Sequence, residues 1–171
     1  MKLFAVALSF SALAMGSMKV EEMRLERRFG FGACGGGQLS MMGIEMDINL
    51  SETMSMGGGF GTGVDYSTAM VKARYYISGQ WVSPYLSASL ARWWTDGTSE
   101  RNIRPSVLAN KFLTPGQDLS NGFDITLFSP AFGVQFMHHT GLSFYFELEY
   151  LFKLVDLANG TYAGMGMLWY F

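Results

Sequence analysis

Apolar and polar residues alternate along most of this chain, and this period of two constrains its fold more than any other feature. The clearest run covers residues 142–155. Its apolar positions include Phe144 and Phe146, whereas the alternate positions include Glu147 and Glu149. Successive side chains of a β-strand point to opposite faces of the sheet. The run therefore predicts a strand with one apolar face and one charged face.

The alternation recurs in eight segments, and no stretch of comparable length keeps its apolar residues at helical spacing. The predicted strands cover residues 24–35, 41–50, 54–66, 68–77, 82–94, 123–137, 142–155 and 162–171. Three connections, at residues 51–52, 78–80 and 138–141, are short and polar, whereas residues 95–122 form a long polar loop. Short turns at every second connection, with a long loop at the opposite end, are typical of transmembrane barrels.

The composition indicates which face of these strands meets the surroundings. Hydrophobic residues make up 49% of the chain and charged residues only 15%, against about 25% charged in an average soluble domain. No segment after the N-terminus reaches the length of about 18 apolar residues that a transmembrane helix needs. In lipid, a closed barrel satisfies the backbone hydrogen bonds instead. We predict an all-β fold, an eight-stranded antiparallel up-and-down transmembrane β-barrel, with a soluble lipocalin-like barrel as the alternative.

The N-terminus predicts export. Met1 and Lys2 provide a short positive start, residues 3–14 are mostly apolar, and Ala14 and Gly16 are small residues at a spacing suited to cleavage. We therefore expect a cleaved signal peptide at residues 1–16 and an outer-membrane barrel domain at residues 17–171.

If the apolar faces meet lipid, the charged faces enclose the lumen. Arg24 and Glu26 belong to this inward set, and its main members are Arg28, Glu45, Asp47, Lys72, Arg74, Glu147, Glu149 and Lys153. An eight-stranded barrel is only wide enough inside for side chains. We therefore predict that these charges pair into a network that plugs the lumen. A narrow channel or small-solute binder is the alternative.

No catalytic, cofactor or metal site is predicted. Glu147 and Glu149 lie about 6.6–7 Å apart along a strand, as hydrolytic carboxylate pairs can, but pairing with lumen cations is the favoured interpretation. The glycines of residues 30–35 match a dinucleotide motif in letters only, because no helix is expected to follow. His138 and His139 fall in a predicted turn. The single cysteine, Cys34, excludes an intrachain disulfide and a Cys-rich zinc site.

Two expectations about the surroundings follow. The net charge of −2 excludes the basic surface of a nucleic-acid binder. Aromatic residues are expected to form two girdles at the membrane interfaces. The periplasmic girdle would contain Trp81, Trp169, Tyr170 and Phe171, and the external girdle Tyr66, Trp93, Trp94 and Phe123.

The C-terminal residues carry a resemblance. Gly166, Trp169 and Phe171 resemble the terminal strand of bacterial outer-membrane proteins, although Gly164 stands where a polar residue is usual. Residues 72–76 and 83–86 are similar to strands of small outer-membrane barrels of the OmpA/OmpX type.

This resemblance implies several properties. The aromatic terminus would act as a signal for the barrel-assembly machinery. The partners would be outer-membrane lipid and lipopolysaccharide, and the barrel would be a monomer. Its role would be structural, or an interaction through loop 95–122. A lipid A-modifying enzyme is the remaining alternative, but the His and Ser residues that such barrels carry at the external rim have no recognisable equivalent here.

Overall fold

The computed structural model describes residues 20–77, 81–96, 111–113 and 122–171. These residues form a short helix, α1 (Val20–Glu26), and a 3₁₀ turn (Gly37–Leu39) between the first two strands. The strands are β1 (Phe29–Gly36), β2 (Met42–Asn49), β3 (Met54–Thr62), β4 (Ser67–Tyr76), β5 (Val82–Asp96), β6 (Gly122–Met137), β7 (Leu142–Lys153) and β8 (Asn159–Tyr170). No helix in the described part of the chain has the length and apolar character needed to cross a membrane.

The strands form a closed barrel in which each is antiparallel to the next. The seam joins β1 to β8, from Gly30 opposite Tyr170 to Gly36 opposite Gly164. Because the first and last strands pair, the sheet has no free edge. The predicted all-β fold with eight antiparallel strands is confirmed.

The two ends of the barrel differ, and we name them here. The loop end is where residues 97–121 connect β5 to β6. The terminal end is where α1 and Phe171 lie. The strands β5 and β6 have 15 and 16 residues, whereas β1 and β2 have 8 each. The wall is therefore tallest at the β5–β6 hairpin.

The apolar residues face outward and the charged residues face inward. In β7, Phe144, Phe146 and Leu148 are each about half exposed, whereas Glu147 and Glu149 are buried. The same division holds along β2, where Ile44, Met46 and Ile48 alternate with Glu45 and Asp47. A soluble barrel would show the opposite arrangement.

The start of the first predicted strand was wrong. Residues 24–26 belong to α1, and β1 begins only at Phe29. The buried residues of α1 are Val20, Met23 and Arg24, which share one helical face because they lie three and four positions apart. Arg27, which stands at an apolar position of the alternation predicted for residues 24–35, marks this change of period.

The connections at the loop end also differ from the predictions. Strands β5 and β6 continue to the pair Asp96 and Gly122, so the loop covers residues 97–121 rather than 95–122. Within it, the structure describes residues 111–113. Asn159 and Gly160, a dipeptide that is favoured in hairpin turns, instead pair with Phe152 and Leu151 in the sheet. The predicted signal peptide and the predicted turn at residues 78–80 lie outside the described residues.

Candidate functional site

The centre of the lumen holds a layer of buried ion pairs. Lys72 Nζ donates to Glu147. The Arg74 guanidinium lies 2.5 Å from Glu45 Oε1 and 3.1 Å from Asp47 Oδ1. All five residues are at most 3% exposed. Strands β2, β4 and β7 thus each contribute charges to one compact network.

Three tyrosines complete this network. Tyr145 OH donates to Glu45, Tyr85 OH donates to Glu147 Oε2 at 3.1 Å, and Tyr170 OH donates to Asp47 Oδ2 at 2.5 Å. Each of these three carboxylates therefore binds one cation and one phenol. A buried carboxylate needs a cation and further hydrogen bonds to offset the cost of leaving water. The network supplies a cation and a phenol hydroxyl to each of the three.

Small residues on the neighbouring strands make room for these long side chains. Glu45 lies between Gly32 and Gly59 in the register of the sheet. Arg74 lies between Ser55 and Ser87. A Cβ atom on Gly32 would come within 1.8 Å of the carbonyl oxygen of Met167. Large and small inward residues therefore alternate around the barrel and fill its narrow interior.

Glu149 is joined to the β1–β2 connection rather than to a cation. Its Oε2 accepts a hydrogen bond from Gln38 N at 2.9 Å. The 3₁₀ turn that contains Gln38 is buried inside the barrel, where Trp93 Nε1 donates to Gln38 O at 2.6 Å and Thr68 Oγ1 donates to Leu39 O at 3.3 Å. Gly36 and Gly37, with φ of 82° and 55°, allow the chain to fold inward at this point.

An aromatic cluster fills the lumen above this turn, at the loop end. Ring centroids lie 5.4 Å apart for Tyr66 and Trp93, 5.8 Å for Trp93 and Phe112, and 5.9 Å for Phe112 and Tyr162. Phe112 belongs to the long loop between β5 and β6 and is fully buried. Part of this loop is therefore anchored in the mouth of the barrel.

At the terminal end, α1 lies against the lumen through Arg24. The Arg24 guanidinium stacks on the ring of Tyr76 at 3.5 Å. It also donates to Gln135 Oε1 at 3.3 Å and to Glu52 O at 3.0 Å. Through this one side chain, the helix thus contacts β4, β6 and the turn between β2 and β3.

The predicted lumen residues divide into two groups. The structure brings six together in the interior: Glu45, Asp47, Lys72, Arg74, Glu147 and Glu149. Arg28 is outside the lumen, where it is exposed and donates from Nε to Leu25 O at 3.2 Å. Its placement in the lumen was wrong because it follows α1 and precedes the first strand. Lys153 is also buried, at an inward position of β7 near the loop end. It binds Asp156 at 2.5 Å, and this hydrogen bond lowers the pKa of the Asp156 carboxyl.

The three residues predicted as an assembly signal lie along β8 and its end. Trp169 and Phe171 point outward and are 51% and 66% exposed. Phe171 stacks on Phe29, with ring centroids 6.5 Å apart. Gly166 faces the lumen, where an added Cβ would lie 2.5 Å from the Tyr145 ring. A glycine at this position is therefore explained by packing, because any larger residue would collide with the Tyr145 ring.

Half of the predicted girdle residues lie inside the barrel. Tyr66, Trp93, Phe123 and Tyr170 are buried. They occupy inward positions of their strands or, for Tyr66, a turn that folds over the mouth. Their interior partners explain this placement, as in the short hydrogen bond of 2.5 Å between Tyr66 OH and Ser40 Oγ.

Three other candidate positions contribute little chemistry. The described residues contain no group of three or more His, Cys, Asp or Glu side chains arranged to hold a metal ion. The rings of His138 and His139 lie 3.9 Å apart, tilted by 45°, in the β6–β7 turn, where His138 Nδ1 lies 2.9 Å from Thr140 Oγ1. Cys34 is a free, partly buried thiol on β1.

The comparisons with known proteins bear on the fold. No model of a protein family matches the chain, and no curated protein matches it. Among solved structures, the N-terminal β-barrel domain of Pseudomonas aeruginosa OprF is similar, with a TM-score of 0.61 and 16% identity. The match covers 85% of this chain and 98% of that domain.

The Yersinia pestis outer membrane protein Ail also matches. Its structure in a phospholipid bilayer nanodisc has a TM-score of 0.42 and 13% identity, covering 85% of this chain and 99% of that one. Its crystal structure has a TM-score of 0.37 at the same identity, covering 84% and 97%. The likeness to the OprF domain confirms that this chain has the fold of the small outer-membrane β-barrels.

Proposed function

We propose that this protein is a non-enzymatic outer-membrane β-barrel whose lumen is plugged by its own side chains. The observation that carries the proposal is the division between an apolar outward wall and a buried charged interior. Such a wall is stable in lipid, where the strands of a closed sheet satisfy one another's backbone hydrogen bonds. The terminal end would face the periplasm and the loop end the exterior.

The packing of the lumen supports the plugged state. Three successive layers occupy it: α1 with Arg24 at the terminal end, the ion pairs around Arg74 at the centre, and the 3₁₀ turn with Phe112 at the loop end. A cavity inside the barrel beside Glu147 and Glu149 has a volume of only about 10 Å³. That is about the space of a single water molecule.

The role of the barrel would be structural or an interaction at the exterior. The loop predicted at residues 95–122 is the largest connection, and Phe112 fixes part of it on the barrel mouth. An anchored external loop presents a defined surface to a partner. Outer-membrane lipid and lipopolysaccharide would surround the wall, the aromatic terminus at Trp169 and Phe171 would serve the barrel-assembly machinery, and the barrel would be a monomer.

Planar-bilayer conductance tests the plugged lumen. The purified full chain is reconstituted, and insertion is verified independently by protection of the barrel from protease. We expect no stable single-channel steps from the inserted protein. Reproducible steps would contradict a plugged lumen and favour the narrow channel.

Two further measurements test the rest of the proposal. Cell fractionation should recover the protein, exported through the predicted signal peptide, with the outer membrane, and recovery in the soluble periplasmic fraction would overturn the membrane location. Incubation of the folded protein with lipopolysaccharide should leave its acyl chains unchanged. Loss or gain of an acyl chain would show that the barrel is a lipid-modifying enzyme.

A further inference from the structure

A polar pocket opens on the outward wall near the loop end. It has a volume of about 250 Å³ and lies above strands β3, β4 and β5. Its side chains include Thr62, Asp65, Ser67, Trp94 and Thr95. Hydroxyl groups, a carboxylate and an indole ring therefore meet in one place, where they can donate and accept hydrogen bonds beside a flat aromatic surface.

An apolar groove lies on the same strands, nearer the middle of the wall. Its volume is about 410 Å³. The floor is low because Gly58 and Ala69 have little or no side chain, while Phe60, Val71 and Leu90 stand on either side. The large outward residues among these are 48–61% exposed, so the groove is open to the lipid.

The register of the sheet places the pocket directly above the groove. One row of cross-strand neighbours, which lines the pocket, consists of Thr62, Ser67 and Trp94. The row two residues lower on each strand, which lines the groove, consists of Phe60, Ala69 and Arg92. Two residues along a strand separate the rows by about 7 Å. Polar and apolar cavities thus form one continuous surface.

Arg92 lies at the junction of the two cavities. Its Nε and Nη2 atoms bind Asp124 at 2.9 Å and 2.5 Å, and its Cζ lies 5.9 Å from the Trp94 ring. The pair occupies two of the five N–H donors of a guanidinium. The side chain remains 62% exposed. Arg92 is therefore held in position by Asp124 with donors left for an anion.

We propose that these two cavities together bind one molecule of a phosphorylated glycolipid from the outer leaflet. An acyl chain would occupy the groove, and the sugar would lie in the pocket against Trp94 with its hydroxyls near Asp65 and Ser67. A phosphate would bind Arg92, since guanidinium groups bind phosphate by charge-assisted hydrogen bonds. In such a lipid the acyl chains and the phosphate are both attached to the sugar, so one molecule can contact the groove, Arg92 and the pocket at the same time. The inference rests on the proposed orientation in the membrane.

Native mass spectrometry of the full-length barrel, released from mixed-lipid nanodiscs, tests this site. The probe is lipid A, a phosphorylated and acylated glucosamine disaccharide, in competition with phosphatidylglycerol. We expect wild-type protein to retain one lipid A molecule in preference to phosphatidylglycerol. Ala69→Phe fills the groove floor and should reduce retention about tenfold, which corresponds to the loss of about 1.4 kcal/mol of binding.

The matched control is Ala73→Phe. Ala73 is also an outward residue of β4, four positions further along, and it does not line the groove. It should retain lipid A within about twofold of wild type, because the groove stays open. Trp94→Ala, which leaves the groove intact, should also lose the preference for lipid A and gives a second measurement should Ala69→Phe fail to fold. Arg92→Gln should weaken retention, and Asp124→Asn should strengthen it by freeing the guanidinium.

The outcomes separate this site from the proposed membrane location. Equal retention by wild type, Ala69→Phe and Trp94→Ala in nanodiscs would overturn the site while leaving the barrel in its membrane. Equal binding of phosphatidylglycerol and lipid A by wild type would show an ordinary acyl groove and overturn the glycolipid assignment. Failure of wild type to enter nanodiscs at all would overturn the proposed function, and this inference with it.

Discussion

At the scale of single residues, Arg74 is the residue on which the buried network most depends. Its guanidinium compensates both Glu45 and Asp47. Arg74→Met would leave two buried carboxylates without their cation, and removing one partner of a buried ion pair costs about 3–5 kcal/mol. We expect a loss of this size in the free energy of unfolding, measured by urea titration in lipid vesicles. Arg28→Met, at an exposed arginine, is the matched control and should change stability by at most about 0.5 kcal/mol. Similar losses for the two variants would contradict the assignment of Arg74 to a buried network.

Much of this network could be predicted from the sequence, residue by residue. The predictions that were wrong have a common cause. Alternation correctly placed Glu45, Lys72 and Glu147 inside because each is flanked by outward apolar residues. Tyr170 was expected in a girdle, yet it is buried and bound to Asp47. An amphipathic tyrosine suits either environment. Only its cross-strand partners decide between them, and those depend on the register.

At the scale of elements, the long loop is joined to the barrel through Phe112. This side chain is buried between Trp93 and Tyr162. Phe112→Ala removes both ring contacts, so the loop should detach more often and be cut faster by protease added to intact vesicles. We expect a rise in cleavage rate of about tenfold or more, equivalent to at least 1.4 kcal/mol of lost anchoring. Lys111→Ala, at the exposed neighbouring position, should leave the rate unchanged. A rate for Phe112→Ala equal to that of wild type would show that the ring does not hold the loop.

The elements that alternation missed are those with another period or with none. The helix α1 has buried residues three and four positions apart, which a period of two cannot represent. The inward 3₁₀ turn (Gly37–Leu39) depends on tertiary partners such as Glu149 and Trp93. Local sequence shows only that a glycine-rich connection is present. The strands themselves were predictable because apolar residues on one face of each strand alternate with polar or small residues on the other.

At the scale of the whole molecule, the proposed membrane orientation predicts how charge on the wall is tolerated. Phe146 points outward near the middle of β7. Phe146→Arg should destabilise the barrel in lipid by about 2–4 kcal/mol, the cost of an arginine near the bilayer midplane. Val155→Arg, in the highly exposed turn at the loop end, should cost about 0–1 kcal/mol. Urea unfolding in vesicles compares the two, and equal costs would mean that the middle of β7 is not in hydrocarbon.

The seam between β1 and β8 has a consequence for how such a molecule comes into being. Phe29 and Phe171 exchange two backbone hydrogen bonds although nearly the whole described chain separates them. Loop-closure entropy opposes so distant a contact until the strands between are in place. Both the charged and the apolar faces of the strands therefore stay exposed to solvent until β8 pairs with β1. If the barrel is inserted into a membrane as proposed, we expect such a chain to be held by a binding partner on the way, since its strands cannot form the ring one at a time.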